Sequence, residues 1–293
     1  MAGGRTAHWR ALVATGLAWA ALAAADACAA VCTWTGSWDN TPSSAGDVIV
    51  IRSGGNLTWG GGLPDTVASW TQEDTYASTV TIQTVYGAAG FTNFTISGDC
   101  IISNGVWMHA ANTTVEANRL RVTIGGRLIL GPLGQINVTA KGYQQAAGPG
   151  GSGPDHAWIG GCHAGRGGWA NGYIDTSQKP FPTTYGSPTA PVNLGSGGWH
   201  AGGGGAVYLA VSGPATVEGT IAARGGKSAG PWSAGAGGSI YLSADSLAGS
   251  GALDAGGGDG GSGGGGGGGG RVAVVLATGT DFGSVTNRAR GGS

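Results

Sequence analysis

What most constrains this chain is a repeat in its last third. The string GGGGAVYLAVSGPATVEGTIAARGG starts at Gly202, GAGGSIYLSADSLAGSGALDAGGG at Gly235 and GGGGRVAVVLATGTDFGSVTNRARGG at Gly267, so the starts lie 33 and 32 residues apart. Each unit runs through a glycine stretch, an alternating apolar strand, a turn, a short second strand and another glycine pair. Val207, Leu209 and Val211 align with Ile240, Leu242 and Ala244, and again with Val272, Val274 and Leu276. Period two in the apolar residues puts one buried face on each strand. Ile221, Leu253 and Val285 are expected to mark the second strand of each unit. A unit this small cannot bury its apolar face alone, so the units must stack. Equivalent strands then pair in parallel. The expected fold class is all-β: a right-handed parallel β-helix or solenoid with glycine-rich turns and a long Gly/Trp-rich loop insertion.

The first half follows the same grammar with less glycine. Leu120, Val122 and Ile124 alternate, and the string from Gly134 to Gly142 resembles that from Gly219 to Gly225. Val48–Ile51, Val80–Thr84 and Phe94–Ser97 read as short strands rich in β-branched residues. No segment after Ala30 carries a 3.6-residue period, so almost no helix is expected there. The expected division is a signal peptide at 1–30, N-terminal β-helix coils at 31–145, a Gly/Trp/His-rich loop insertion at 146–201 and glycine-rich repeats at 202–293. Glycine supplies 64 of 293 residues, about three times the usual share, without the period of collagen. The run Gly263–Gly270 has two readings. It is a flexible loop, the favoured one, or an extended polyproline-II-like segment packed on other glycine segments.

The first thirty residues combine Arg5 and Arg10, an apolar run from Ala11 to Ala25 and the small-residue end Ala27-Cys28-Ala29-Ala30. That pattern predicts a secretory signal peptide, and with it a secreted or cell-surface location. The net charge is −1 and only 10% of residues are charged. Phosphate binding needs clustered Lys and Arg, so no nucleic-acid partner is expected. No membrane insertion of the mature chain and no cofactor are expected either. Cys32, Cys100 and Cys162 follow the predicted leader. Export permits a disulfide, and Cys32–Cys100 is one of three possible pairs.

The opening Thr33-Trp-Thr-Gly-Ser-Trp38 with Ala45-Gly-Asp-Val-Ile-Val-Ile51 resembles the start of secreted, autotransporter-like bacterial β-helix proteins. The stretches Leu194–Gly198, Gly202–Leu209, Gly237–Leu242 and Gly267–Val274 are similar to glycine-rich repeat regions of large bacterial surface proteins. The resemblance implies no chemistry that transfers to particular residues. If each coil of the expected β-helix rises by about 4.8 Å, roughly eight to ten coils give a rod about 40–50 Å long. Such proteins often continue to an anchoring module. None follows Ser293 in this sequence, so free secretion or a truncated copy is expected.

Three constellations bear on function. Asp155, His156, Cys162, His163 and His200 are metal-capable types, but their spacing matches no closed zinc site. The competing account is hydrogen bonding to glycine-rich backbone. Trp158, Trp169, Trp199 and Trp232 are candidate glycan contacts, because flat aromatic faces stack on sugar rings and exposed tryptophan is costly without a reason. Packing over glycines that lack side chains is the alternative. For catalysis, glycoside hydrolysis needs two facing carboxylates. Glu73 and Asp74 are adjacent and so point to opposite faces of a strand. The remaining aspartates beside glycines read as turn formers, so no enzyme and no catalytic residue is expected. The expected function is a secreted structural or adhesive surface or matrix protein, with polysaccharide or other surface proteins as partners. The alternatives are an extracellular carbohydrate-binding module and, third, a polysaccharide-degrading β-helix enzyme.

Overall fold

A computed structural model describes residues 29–153, 158–169 and 182–293. The described chain is all-β and contains no helix. In chain order the strands are β1 Val31–Thr35, β2 Val48–Ser53, β3 Leu57–Trp59, β4 Thr66–Val67, β5 Ser69–Gln72 and β6 Thr79–Ile82. Next come β7 Phe94–Ile96, β8 Cys100–Met108, β9 Leu120–Ile124, β10 Leu128–Asn137, β11 Ala206–Val211 and β12 Ala215–Val217. The last six are β13 Thr220–Ala222, β14 Ser239–Ala244, β15 Leu247–Ala248, β16 Ala252–Asp254, β17 Arg271–Leu276 and β18 Thr286–Arg288. All pairings between these strands are parallel.

The pairings form three ladders. The first runs β1, β2, β5, the start of β8, the start of β10, β12 and β15. The second runs β3, β6, the end of β8, the end of β10, β13, β16 and β18. The third is the separate six-stranded sheet β4, β7, β9, β11, β14 and β17. From β2 to β17 the chain visits first, second and third ladder in the same cyclic order. Only β8 and β10 pass from the first to the second without a break, which joins those two into one sheet. Its main path has eight strands; seven spacings of about 4.8 Å give roughly 34 Å.

The core is a set of rows running across the strands. Phe94, Val122, Leu209, Leu242 and Val274 face one another in sequence along the third ladder. All but Val274, on the edge strand, are fully buried. Burying each such aliphatic side chain contributes about 1.5–3 kcal/mol. In the first turns the same interior is filled by tryptophan. Trp34–Trp38, Trp38–Trp59, Trp59–Trp70 and Trp70–Trp107 meet edge to face at 5.3, 6.0, 5.1 and 5.3 Å between centroids. The quadrupoles of aromatic rings favour that geometry over flat stacking.

The alignment of the repeats holds along the third ladder, where Ile240 faces Val207 and Val272, and Leu242 faces Leu209 and Val274. It slips in the second. Leu253 faces Ile221 on one side and Asn287, not Val285, on the other. The turn of the third unit is one residue longer than that of the first and two longer than that of the second, so β18 starts later. Its residues are exposed, which lets a polar Asn287 stand where the earlier units need an aliphatic side chain. Val285 still packs against the core from just outside the strand.

Cys32–Cys100 must also be revised. Cys32, Ile49, Trp70 and Cys100 occupy one row of the first ladder. Three strand spacings, about 14 Å, separate the two cysteines, whereas a disulfide needs Cα atoms roughly 4–7 Å apart. Cys32, Cys100 and Cys162 are buried free thiols.

Candidate functional site

Between the second and third ladders each later turn of the chain makes an excursion. The described residues between Asn137 and Ala206 form no strand, and neither do Ala223–Gly238 or Ala255–Gly270. These segments are out-and-back glycine hairpins. Gly235 N–H donates to Gly226 O at 3.1 Å and Gly238 N–H to Ala223 O at 2.7 Å, which closes one hairpin. Gly267 donates to Gly258 and Gly270 to Ala255 in the next, at 2.9 and 2.8 Å. Neighbouring hairpins bind each other as well. Ala234 and Gly237 donate to Gly265 and Gly268 at 3.0 and 2.9 Å, and Ala236 donates to Ser196 at 2.9 Å. Successive residues therefore point to three different neighbours and return to the first after three residues. That is the symmetry of a polyproline-II-like strand, here bonded laterally on every side.

Such close backbones leave no room for side chains. A Cβ added at Gly203 would fall on the carbonyl oxygen of Gly195, one at Gly238 on that of Gly205 and one at Gly267 on that of Gly235. Of the run Gly263–Gly270, favoured above as a flexible loop, Gly263 is an exposed turn residue at φ +96, and from Gly265 onward the run is this packed extended form. Gly265–Gly270 are buried, and their N–H and C=O groups bond to other glycine segments.

Aromatic residues sit at the hairpin tips. Trp199 and His200 occupy the turn closed by Gly198 N–H donating to Ala201 O at 2.9 Å. The Ser233 hydroxyl accepts from Trp199 N–H at 2.9 Å and ties that tip to the next hairpin, which carries Trp232. Trp158 is held by Gly265 N–H, which donates to its carbonyl at 3.0 Å. The rings meet. Trp158 lies 4.9 Å from Trp232, His200 stacks on Trp232 at 5.1 Å and 13°, and Trp199 meets His200 edge-on at 6.1 Å. Three of the four candidate glycan-contact tryptophans thus share one half-buried cluster with the exposed His200. Trp169 is 43% exposed, the most open of the four.

Among the described residues, the metal-capable candidates Cys162, His163 and His200 do not form a common site. His163 is buried, its Nδ1–H donates to Gly237 O at 2.8 Å, and its ring packs on Tyr185 at 4.8 Å. Burial pushes its pKa down to about 4. The Cys162 sulfur accepts from Gly167 N–H at 3.3 Å, and burial raises the thiol pKa. His200 belongs to the tip cluster. Among the described residues no three His, Cys, Asp or Glu side chains could hold a metal ion together. Asp155 and His156 lie outside the described residues.

The carboxylates mostly serve as ties. Glu73 pairs with Arg52 at 3.0 Å, and Asp99 pairs with Arg127 at 2.9 Å. Asp259 accepts from Ser293 N–H at 3.1 Å. An open depression of about 280 Å³ near the last strands includes Arg224, Asp254, Asp259, Arg288 and Arg290. Part of its charge is already balanced, since Arg224 lies 3.6 Å from Asp254.

Sequence reading passed over a second group, Arg121, Tyr208 and Tyr241 in one row of the third ladder, with Arg119 and Tyr86 beside it. The signal was present, because the alignment that matches Leu209 with Leu242 also matches Tyr208 with Tyr241. Among the described residues no helix is long and apolar enough to cross a membrane. Comparison with protein-family models, curated proteins and solved structures finds no match.

Proposed function

We propose that this chain is an exported structural or adhesive protein of a cell surface or matrix. Its ladders are read as the faces of a right-handed parallel β-helix, the hand that parallel crossovers adopt almost without exception. The observation that carries the proposal is the glycine lattice. A rod whose turns are tied to one another by main-chain bonds resists shear without relying on surface side chains, and it holds aromatic tips at fixed positions along one edge. Secretion rests on the leader-like first thirty residues. Partners would be polysaccharide or neighbouring surface proteins.

A carbohydrate-binding role is the second reading, favoured by the half-exposed cluster of Trp158, Trp199 and Trp232. Against it, the rings turn faces toward one another, which leaves less face for a sugar. One experiment separates the two. Residues 31–293 are immobilised and challenged with whole cells and with a panel of neutral glycans, alongside a Trp232→Ala variant. Cell retention without saturable binding of any neutral glycan is the expected result. Saturable glycan binding lost in Trp232→Ala would replace the first reading with the second. Release of reducing-end or unsaturated sugars from a polysaccharide would overturn both.

A further inference from the structure

The outward face of the third ladder carries a row of side chains that the structural role does not use. Arg121 on β9 faces Tyr208 on β11, Tyr208 faces Tyr241 on β14, and Tyr241 faces Ala273 on the edge strand β17. The Arg121 guanidinium carbon lies 5.1 Å from the centre of the Tyr208 ring. The Tyr208 and Tyr241 rings are stacked at 4.6 Å and 8°. One row thus reads cation, ring, ring, gap. Ala273 ends at its Cβ, so among the described residues no ring lies on the second face of Tyr241, which is itself half-buried. Beside the row, Arg119 lies over the Tyr86 ring at 4.6 Å.

The Nε atoms of Arg119 and Arg121 are both buried with no hydrogen-bond acceptor. The ion pairs of the described residues join Arg52, Arg127 and Arg224 to carboxylates and leave Arg119 and Arg121 out. The nearby carboxylate of Glu116 is occupied by the Asn193 amide and the Leu194 N–H, each at 3.1 Å. Arg119 and Arg121 repel each other, Glu116 offsets only part of that at Arg119, and an anion would relieve the rest. An Arg fork matches a carboxylate or sulfate in two parallel bonds.

We infer that this face binds an acidic polysaccharide, with one sugar ring stacked on Tyr241 above Ala273 and an acidic substituent further along the chain held by Arg121 and Arg119. The open ring face and the arginine lie two strand spacings apart, about 10 Å. A polymer is therefore needed to engage both, and a monosaccharide satisfies only one. The site goes beyond the structural role proposed above and stands without it. It also lies on a different surface from the tryptophan tips. A nucleic acid offers anions and flat rings too, but two arginines are fewer than the run of basic contacts that backbone phosphate binding needs.

The test is calorimetric titration of residues 31–293 with polygalacturonate, with neutral dextran of the same length and with poly(U). Polygalacturonate should bind saturably and weaken with added salt, dextran should bind at least tenfold less tightly, and poly(U) should not compete. Arg121→Gln and Tyr241→Ala should each weaken the binding at least tenfold at unchanged Tm, while Trp232→Ala leaves it intact. Ala273→Tyr gives an independent check, because it extends the row by one ring and should block the open face without removing any contact of the fold. Absence of polygalacturonate binding, equal binding of dextran, tighter binding of poly(U), or full binding by Ala273→Tyr and Arg121→Gln would overturn the inference. If Tyr241→Ala melts early, Arg121→Gln and Ala273→Tyr decide the question in its place.

Discussion

At the scale of single residues, glycine inverts the usual relation between size and importance. In an ordinary core the large side chain is the costly one to change. In the glycine hairpins the costly change is the addition of a methyl group. Gly203 and Gly238 have carbonyl oxygens of neighbouring segments where a Cβ would sit. Gly203→Ala should therefore push two segments apart and break the bonds from Gly203 N–H to Tyr143 O and from Gly195 N–H to Gly204 O, both 2.8 Å. We expect a loss of about 2–3 kcal/mol, seen as a Tm lower by roughly 5–10 °C. Gly55, where an added Cβ meets nothing, is the control, and Gly55→Ala should melt as the parent does. An unchanged Tm in Gly203→Ala would mean that the lattice is looser than its bonds imply.

At the scale of elements, the third ladder depends on its buried rows. Leu242 is fully buried between Leu209 and Val274. Leu242→Asp places an unpaired charge there and should cost about 4 kcal/mol or more, enough to unfold the adjoining turns. Far-ultraviolet circular dichroism checks it, and a native spectrum with an unaltered melt would refute the register. That register was legible in the sequence because β11, β14 and β17 keep one length and one alternation. The second ladder was legible for two units and failed at the third, where a longer turn displaces Val285 and leaves Asn287 in the row. Nothing in a local window measures turn length against a ladder formed by distant segments. The tryptophan interior of the first turns was hidden for a related reason. Strands β3 to β7 are two to four residues long, too short to show a period, and Trp59 and Trp70 looked no different from tryptophans at a surface. The glycine hairpins were least legible of all, since a segment without side chains carries no apolar pattern. The tip cluster was half legible: the residue types stood out, but only the stacking of hairpins shows that Trp158, Trp232 and His200 meet.

At the scale of the whole molecule, stability should depend on pH in a way traceable to two histidines. His109 is fully buried, donates from Nδ1 to Ala110 O at 2.7 Å and accepts at Nε2 from Ala206 N–H at 3.2 Å. Burial pushes its pKa down to about 4, as it does for His163. In the unfolded chain both titrate near 6.5. Between pH 6.5 and 4 the unfolded chain therefore binds protons that the folded one refuses, so stability is full above about pH 6.5 and falls as the pH drops toward 4. Thermal melts from pH 8 to 4.5 should be level at first and then decline, and His109→Gln should flatten part of the decline. A melt independent of pH across that window would contradict the burial of these rings.

The glycine hairpins also bear on how such a gene can change. Every glycine codon begins with two guanines, and any base change at either position ends the chain or replaces glycine with a residue that carries a Cβ. Wherever the backbone leaves no room for that atom, single-nucleotide substitution is closed as a route of variation and only silent third-position changes pass. Variation in this region is then left to the gain or loss of whole hairpins by unequal recombination between glycine-coding stretches, so alleles should differ in the number of turns more than in the letters within a turn.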